Sequence, residues 1–276
     1  MVALAAIWGC SFLFIAVGVS EVHPAYVTLG RVACGSLALI VVLAARRESL
    51  PRSPRLWVHF FVLGAVGAAL PFTLFGYGEQ RIPSLLAGIW NGMTPLVVLP
   101  VAVFVFRTEK LTRQRVIGLA LGFAGMLVVL GVWRGVGGAE LAGQLMCLAA
   151  ATCYGVAIPY LKRFVAGGPE SGLAISAGML LMATAQLAVV APLLAGAPPS
   201  VSALSLEVVA SIVALGAVGT GIAFAINMHN IRVVGASTAS MVTYLIPIFA
   251  VAVGVLVLGE HITWYQPVGA LIVLAG

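Results

Sequence analysis

Apolar stretches of about 20 residues recur along the whole sequence, separated by short polar breaks that hold nearly all of the charged side chains. A transmembrane helix needs about 20 residues to cross the ~30 Å hydrocarbon core of a bilayer. Because 62% of the residues are hydrophobic and only 8% are charged, a water-soluble fold would lack the charged side chains to cover its surface. The sequence therefore predicts an all-α polytopic membrane protein.

Ten of these stretches are predicted to be transmembrane helices, here called spans 1 to 10. Their limits are 2–20, 24–45, 56–78, 83–106, 112–133, 140–161, 172–195, 206–228, 235–258 and 263–276. Span 1 has neither a basic segment before it nor a convincing small-residue cleavage site after it. We interpret it as a retained helix rather than a cleaved signal peptide.

Lysine and arginine are concentrated in the loops that follow even-numbered spans. Those loops hold eleven basic residues, whereas the loops after odd-numbered spans hold only Arg81 and Arg134. Basic loops remain in the cytoplasm, so the pattern predicts a membrane protein with both termini in the cytoplasm. The same rule explains the net charge of +6 without a nucleic-acid partner.

The second half of the chain repeats the first. A shift of 151 residues lays Arg81 on Arg232, Glu109 on Glu260, Thr112 on Thr263 and Gly118 on Gly269, and a shift of 146 lays Trp8-Gly9 on Tyr154-Gly155. We predict two five-helix repeats, residues 1–135 and 136–276. Because five is odd, the two repeats are inverted relative to each other in the membrane, as in alternating-access transporters.

A Glu-x-(Leu/Ile)-Thr motif begins at Glu109 and again at Glu260. Each threonine, Thr112 and Thr263, can cap the helix that follows, and each carboxylate lies near the positive end of that helix dipole. The two motifs are expected at opposite membrane faces, so we predict a structural role for both glutamates. A role in substrate binding is the alternative.

Two long segments carry a family resemblance, TPLVVLPVAVFVFRTEKLTRQRVIGLALGFAG from the first repeat and LIPIFAVAVGVLVLGEHITWYQPVGALIVLAG from the second. Each joins a proline-containing span, the glutamate motif and a glycine-rich span, and each resembles the EamA-type repeat of the drug/metabolite transporter superfamily. With the Trp-Gly and Tyr-Gly openings, the chain is most similar to the bacterial exporters of aromatic and neutral amino acids and other metabolites. The resemblance implies the fold of these exporters and a transport function. Its motifs belong to the scaffold of the protein and therefore say little about the substrate.

Catalytic and metal-binding residue sets are not apparent in the sequence. There is no aspartate, all eight glutamates are in loops or at predicted helix ends, and the four histidines are likewise in loops or near helix ends. The four cysteines lie inside spans without metal-ligand spacing and are interpreted as packing thiols. We therefore predict no enzyme activity, no metal and no cofactor.

Arg31 is the one obvious ionisable residue inside a span. We interpret it as a side chain that snorkels to the outer interface, with a buried functional role as the alternative. Since no carboxylate is predicted deep in a span, transport is expected to depend little on pH. Glu79, at the end of span 3, is the first residue to re-examine if it does.

Aromatic and neutral polar side chains inside the spans suit a mostly apolar substrate pocket. The predicted substrate-binding residues are Trp8, Phe72, Tyr77, Trp90, Asn91, Thr94, Tyr154, Phe224, Asn227, Ser240, Thr243 and Tyr244. Ordinary helix packing is the alternative for each of them. Three other tryptophans, Trp57, Trp133 and Trp264, are at predicted helix ends and fit an interfacial belt.

Pro95 and Pro247 are near the middle of spans 4 and 9, which correspond in the two repeats. A proline inside a helix removes a backbone hydrogen bond, and a membrane helix tolerates this where neighbouring helices or water satisfy the freed carbonyl. We predict that both helices are kinked there and act as paired gates. A static kink is the alternative.

These observations predict a secondary transporter that moves small neutral or zwitterionic metabolites, most directly amino acids, across the inner membrane. A multidrug or other metabolite carrier of the same fold is the first alternative, and a membrane-embedded enzyme or a channel is the second. The partners are the substrate and the bilayer. Small-xxx-small motifs such as 88–92 and 118–122 allow helices to pack closely, and we interpret them as contacts within the bundle of a monomer. A weak homodimer that forms through span 5 is the alternative.

Overall fold

The computed structural model describes residues 1–131, 133, 138–234 and 242–275, and regular secondary structure in these residues is helical. Ten helices follow one another: α1 (Val2–Glu21), α2 (Pro24–Ala45), α3 (Pro54–Glu79), α4 (Ser84–Val105), α5 (Arg113–Leu130), α6 (Gly138–Phe164), α7 (Gly172–Ala195), α8 (from Leu206 through the segment Ala223–Val234), α9 (Val242–Leu256) and α10 (Tyr265–Ala275). The first eight include spans long and apolar enough to cross a membrane, while α9 and α10 are shorter. The polytopic fold is confirmed; residues 235–241 of predicted span 9 lie outside the described residues.

Local sequence signals explain where several helices begin. His23 caps α2 by accepting a hydrogen bond on Nδ1 from the backbone N–H of Ala25 at 3.3 Å, and Pro24 occupies the first turn. Ser171 and Ser205 cap α7 and α8 in the same way, each accepting from the backbone N–H three residues ahead. These caps satisfy backbone donors that the first turn of a helix leaves free.

Three of the described helices contain a π-helical turn, one of them at Val101–Val105 in α4, and the other two turns lie at corresponding points of the predicted repeats. The turn in α3 is Ala65–Ala69 and that in α8 is Ala217–Ile222. Both turns begin at the alanine of the same sequence, LGAVG, which occupies 63–67 and 215–219 and is a repeat at a shift of 152 that the sequence analysis missed. A π turn adds a residue to the helix and often marks a functional site.

Helix packing is symmetric between the two predicted repeats. Helix α1 packs on α9 and α8, and its counterpart α6 packs on α4 and α3. Likewise α2 packs on α8 while α7 packs on α3, and the pairs α2–α7, α4–α9 and α5–α10 each join equivalent helices. Each half therefore completes the packing of the other.

Glycines bring the crossing helices close together. A Cβ at Gly92 of α4 would lie 2.6 Å from Cγ of Pro247 in α9, and a Cβ at Gly88 would overlap that of Ala250. In α5, a Cβ at Gly125 would lie 2.7 Å from the carbonyl oxygen of Gly269 in α10. These small residues serve helix contacts inside one chain, as expected for closely packed membrane helices. A homodimer through α5 stays a prediction.

Large apolar side chains also cover the outside of the bundle. On α5, Val116, Ile117, Leu121 and Phe123 are all exposed, with Phe123 at 55% of its full area. Such a continuous apolar surface is costly in water but matches the hydrocarbon of a bilayer. The fold thus separates a lipid-facing exterior from an interior in which the less apolar groups meet.

Candidate functional site

Two aromatic pairs lie at equivalent positions in the interior. Trp8 of α1 meets Phe224 of α8 edge-on, with ring centroids 6.4 Å apart and an interplanar angle of 88°. Tyr154 of α6 meets Phe72 of α3 with the same centroid distance and an angle of 68°. The repeat relates Trp8 to Tyr154, and the shift of 152 relates Phe72 to Phe224. The structure thus brings together four of the predicted pocket residues as two matching pairs.

The second pair extends into a larger aromatic cluster. Phe75 lies one turn beyond Phe72 on α3, with its ring 6.2 Å from that of Tyr154 and 5.5 Å from that of Phe12. Phe12 and Phe75 belong to the first predicted repeat and Tyr154 of α6 to the second, so the cluster joins the two repeats. Phe12 and Phe75 were not among the predicted pocket residues, although Phe72 on the same helix as Phe75 was. Their spacing from Trp8 and Phe72 at helical intervals was the available signal.

Arg31 is buried within this cluster. Only 7% of the residue is exposed, its Nε donates a hydrogen bond to Oγ1 of Thr220 at 2.9 Å, and its guanidinium carbon lies 3.5 Å from the centre of the Phe72 ring. A planar guanidinium over an aromatic face forms a cation–π contact. The expectation that Arg31 snorkels to the outer interface was therefore wrong, because Thr220 and Phe72 hold the side chain inside the bundle.

Thr220 belongs to the π turn of α8 and is fully buried. Its hydroxyl accepts from Arg31 and donates to the carbonyl oxygen of Leu215 at 3.1 Å. That carbonyl is five residues back, which is the spacing of the π turn itself. The irregular turn thus places a hydroxyl where the guanidinium of α2 can reach it.

Glu79 is the last residue of α3, and both of its carboxylate oxygens are buried without a hydrogen-bond partner among the described residues. Arg31 and Glu260 are close enough to interact with it electrostatically, although the carboxylate forms no ion pair within 4 Å in the described part of the chain. The position at a helix end was predicted, whereas its burial was not. Transport was expected to depend little on pH because no buried carboxylate was predicted, and the burial of Glu79 removes that reason.

Glu260 caps a helix of the opposite repeat. Its two carboxylate oxygens accept from the backbone N–H groups of Ser84 and Leu85, at 2.6 and 2.9 Å, at the start of α4. Glu260 was predicted to lie at the start of the next helix, α10. It does lie at the start of a helix, but that helix is α4. Thr263 does not cap α10 through its hydroxyl, because its buried Oγ1 has no partner among the described residues.

The equivalent glutamate of the first repeat has different partners. Glu109 accepts a hydrogen bond from Nζ of Lys162 at 2.5 Å and pairs with Arg115 at 3.1 Å. The predicted N-cap at Thr112 is present, since its Oγ1 accepts from the backbone N–H of Arg115 at 3.4 Å. Hydrogen bonding from Lys162, assisted by Arg115, holds the pKa of the Glu109 carboxyl below its usual range.

The other predicted pocket residues are distributed along the bundle. Tyr77 is near the end of α3, where its hydroxyl lies 3.1 Å from Nε2 of His23. Trp90 is fully buried and its Nε1 has no partner among the described residues. Thr94 is buried and donates to the carbonyl oxygen of Asn91. Asn227 and Thr243 are partly buried, whereas Ser240 and the side chain of Tyr244 lie outside the described residues.

The two predicted hinge prolines have different surroundings. In α4 the regular helix ends at Gly92 and resumes at Thr94, so Pro95 occupies the first turn of the second segment. Pro247 instead lies inside the continuous segment Val242–Leu256, buried against Gly92. The interruption of α4 agrees with a bend at Pro95, and the gating role of the pair stays a prediction.

Among the described residues, no three histidine, cysteine or acidic side chains lie together in a way that could hold a metal ion. All four cysteines are free, and Cys147 is fully buried against α3.

A family model described as the EamA-like transporter family matches the chain twice, over residues 1–131 and 141–276. The chain belongs to the EamA-like transporter family. The first match lies within the first predicted repeat and the second within the second, and the division into two repeats stays a prediction. An EamA-like protein of this kind is a multi-pass membrane transporter and not an enzyme.

Curated relatives of similar length support this membership. The chain is 24% identical to an uncharacterized transporter, YoaV, of Bacillus subtilis over 100% of this chain and 93% of that one. It is 27% identical to an uncharacterized inner membrane transporter, YedA, of Escherichia coli K12 over 95% and 82%. It is also 25% identical to a probable terminal-alkyne amino-acid exporter of Streptantibioticus cattleyicolor over 98% and 88%.

A solved crystal structure shares this EamA architecture. It superimposes with a TM-score of 0.69 at 23% identity and covers 99% of this chain and 93% of its own. At that identity the likeness shows the fold alone. The side chains of the aromatic cluster must therefore be interpreted from this chain itself.

Proposed function

We propose that this EamA-like transporter exports small neutral or zwitterionic metabolites, most directly amino acids, by alternating access across a bacterial inner membrane. Both termini are assigned to the cytoplasm from the eleven basic residues in the loops after even-numbered helices. Two five-helix halves with matching contacts support alternating access, since inverted repeats can exchange conformations about a site between them.

The observation that carries the substrate class is the buried aromatic cluster with one cation inside it. Trp8, Phe224, Phe72 and Tyr154 supply apolar walls, and Arg31 supplies the charge. A mostly apolar pocket with few polar groups binds a small organic molecule, and the groups that are present orient it. A substrate with several negative charges would need more cations than this cluster offers.

A relative's name supports the same class. The Streptantibioticus cattleyicolor protein is named a probable amino-acid exporter, and the chain matches 88% of its length. At 25% identity, this resemblance is support for the class and does not identify one amino acid.

A second candidate function is export of hydrophobic cations. Glu79 favours it, because a buried carboxylate near aromatic rings is the usual requirement for binding an organic cation. Arg31 opposes it by placing a positive charge in the same cluster.

Reconstitution into proteoliposomes distinguishes the two candidates. Uptake of each of the twenty labelled amino acids is compared with uptake of a quaternary ammonium dye, with and without an imposed proton gradient. We expect uptake of neutral amino acids above that of empty liposomes and none of the dye. Dye uptake alone would replace the proposal with the cation exporter, and uptake of neither would refute both.

A further inference from the structure

Two charged residues lie at opposite ends of one aromatic wall. Phe72, Phe75 and Glu79 share a face of α3 because they are spaced by three and four residues. Arg31 lies against the ring of Phe72, and Tyr154 contacts both phenylalanines. The rise of a helix places Glu79 about 10 Å beyond Phe72. Side chains on one helix lean in the same direction, so the guanidinium at Phe72 and the Glu79 carboxylate stay about 10 Å apart along the helix.

The guanidinium of Arg31 has unused donors. It carries five N–H groups in a planar fork, and its hydrogen bond to a described residue uses only Nε, to Thr220. The Phe72 ring covers one face of the plane without using these donors. A carboxylate is the partner that fits such a fork, since it can accept two parallel hydrogen bonds.

Glu79 has the opposite need. A buried carboxylate without a hydrogen-bond donor is costly, so a cation or donor must satisfy it in at least one state of the transport cycle. The groups that act on it from neighbouring elements are Arg31 of α2, Glu260 beyond α9 and the thiol of Cys147 on α6. Glu260 is already satisfied by two backbone N–H groups of α4. A second carboxylate nearby makes Glu79 a stronger site for a positive charge.

Neither Thr220 nor Glu79 has a polar counterpart in the other predicted repeat. At the shift of 152, Thr220 corresponds to Ala68 and Glu79 corresponds to Ile231, although the flanking LGAVG sequences are identical. A group needed by the scaffold of both halves would be expected in both. The asymmetry indicates a role toward a ligand that has two different ends.

We propose that Arg31 and Glu79 bind the two charged ends of a zwitterionic amino acid, with Arg31 taking the α-carboxylate and Glu79 the α-ammonium. The side chain of the substrate then lies against Phe72, Phe75 and Tyr154. This assignment rests on the proposed function and adds which residues recognise the substrate. It also explains why two opposite charges are buried in one cluster without forming an ion pair with each other.

Binding of three related compounds to purified protein tests the assignment. The first compound is L-phenylalanine, the second is phenethylamine, which lacks the carboxylate, and the third is N-acetyl-L-phenylalanine, which lacks the ammonium. If the transport panel favours another amino acid, the corresponding three compounds are used. A hydrogen-bonded charge contributes roughly 1.5–3 kcal/mol, or about 10- to 100-fold in affinity. Wild-type protein should therefore prefer the amino acid to either analogue by about that factor.

Substitutions at the two charged residues should have reciprocal effects. Arg31→Gln should weaken amino-acid binding at least tenfold and leave amine binding within about twofold, while Glu79→Gln should weaken amino-acid binding similarly and leave N-acetyl binding unchanged. Arg31→Lys and Glu79→Asp keep the charge if the neutral variants do not fold. Arg81→Gln and Glu140→Gln, at the ends of helices, are the matched controls and should bind all three compounds like wild type.

The outcomes separate this assignment from the proposed function. If wild-type protein binds no amino acid of the panel, the proposed function fails and this assignment fails with it. If wild-type protein binds amino acids but the variants lose all three compounds equally, the assignment alone is wrong. Unchanged amino-acid affinity in Glu79→Gln with an altered pH dependence of transport would make Glu79 a proton site instead, which also contradicts the assignment.

Discussion

Gly92 of α4 lies directly against Pro247 of α9, so close that a Cβ on residue 92 would be 2.6 Å from the proline Cγ. The two helices correspond in the two predicted repeats, and this contact lies in the interface between them, together with that of Gly88 and Ala250. A proline ring cannot rotate away as a long side chain would. The small size of residue 92 therefore sets the distance between the equivalent helices.

Substitution of Gly92 by alanine should disturb this interface. The added methyl forces the helices apart, and overpacking of this kind costs about 1–3 kcal/mol. We expect Gly92→Ala to lower both the melting temperature in detergent and the rate of amino-acid transport. Gly167→Ala is the matched control, because a Cβ at Gly167 meets no atom within 4 Å. Equal melting temperatures of the two variants would contradict the packing argument.

Replacement of Glu260 should affect stability more than substrate choice. The carboxylate caps α4 through two backbone N–H groups, and a glutamine can accept with one oxygen only. Loss of a helix cap costs about 0.5–2 kcal/mol. Glu260→Gln should melt earlier than wild type, and Glu260→Ala earlier still, while the relative uptake of different amino acids stays the same. A wild-type melting temperature together with altered selectivity would assign Glu260 to the substrate instead.

The prolines can be tested as gates by single substitution. Pro95 starts the second segment of α4, and Pro247 is buried against that helix. If both are hinges, Pro95→Ala and Pro247→Ala should reduce turnover severalfold while substrate affinity survives, because the pocket is intact and its opening is slowed. Accessibility of introduced cysteines to a membrane-impermeant reagent should shift toward one side of the membrane. Full turnover and unchanged accessibility in both variants would support a static kink.

Glu109 should make a small, pH-dependent contribution to stability. Its folded pKa is lowered by the hydrogen bond from Lys162, so its stabilising effect is complete above the usual carboxyl pKa and is lost as pH falls through the lowered value. Partly exposed ion pairs contribute at most about 1 kcal/mol. Wild type should melt slightly above Glu109→Gln at pH 7, and the difference should shrink below about pH 4 and in high salt. A difference that grows on acidification would contradict this sign.

The number of helices could be predicted from the sequence because apolar length and bilayer thickness are directly related. The partners of buried polar groups could not. Arg31 meets Thr220 across 189 positions, and nothing in the local sequence of α2 states which face of the helix meets α8. Likewise, Glu79 is at a helix end as predicted, but its burial depends on how neighbouring helices cover that end.

The helix capped by Glu260 illustrates the same limit. Sequence proximity favoured α10, which begins five residues after Glu260, whereas tertiary packing placed the carboxylate at the start of α4. The π turns of α3 and α8 are a different case, since the repeated LGAVG at 63–67 and 215–219 was a visible signal. A fixed shift of 151 overlooked it because the two segments align only at 152.

Substitution of Thr220 tests whether its hydroxyl, placed by the π turn of α8, positions Arg31. Thr220→Val keeps the shape of the side chain but removes the oxygen that accepts from Nε of Arg31 and donates to the Leu215 carbonyl. Leaving a buried charged donor without its partner costs about 1–3 kcal/mol, so the variant should melt several degrees earlier and bind amino acids at least fivefold more weakly. Thr220→Ser restores the hydroxyl and should recover most of both properties. If valine and serine behave alike, the hydroxyl has no role in positioning Arg31, and the guanidinium is held by the Phe72 ring alone.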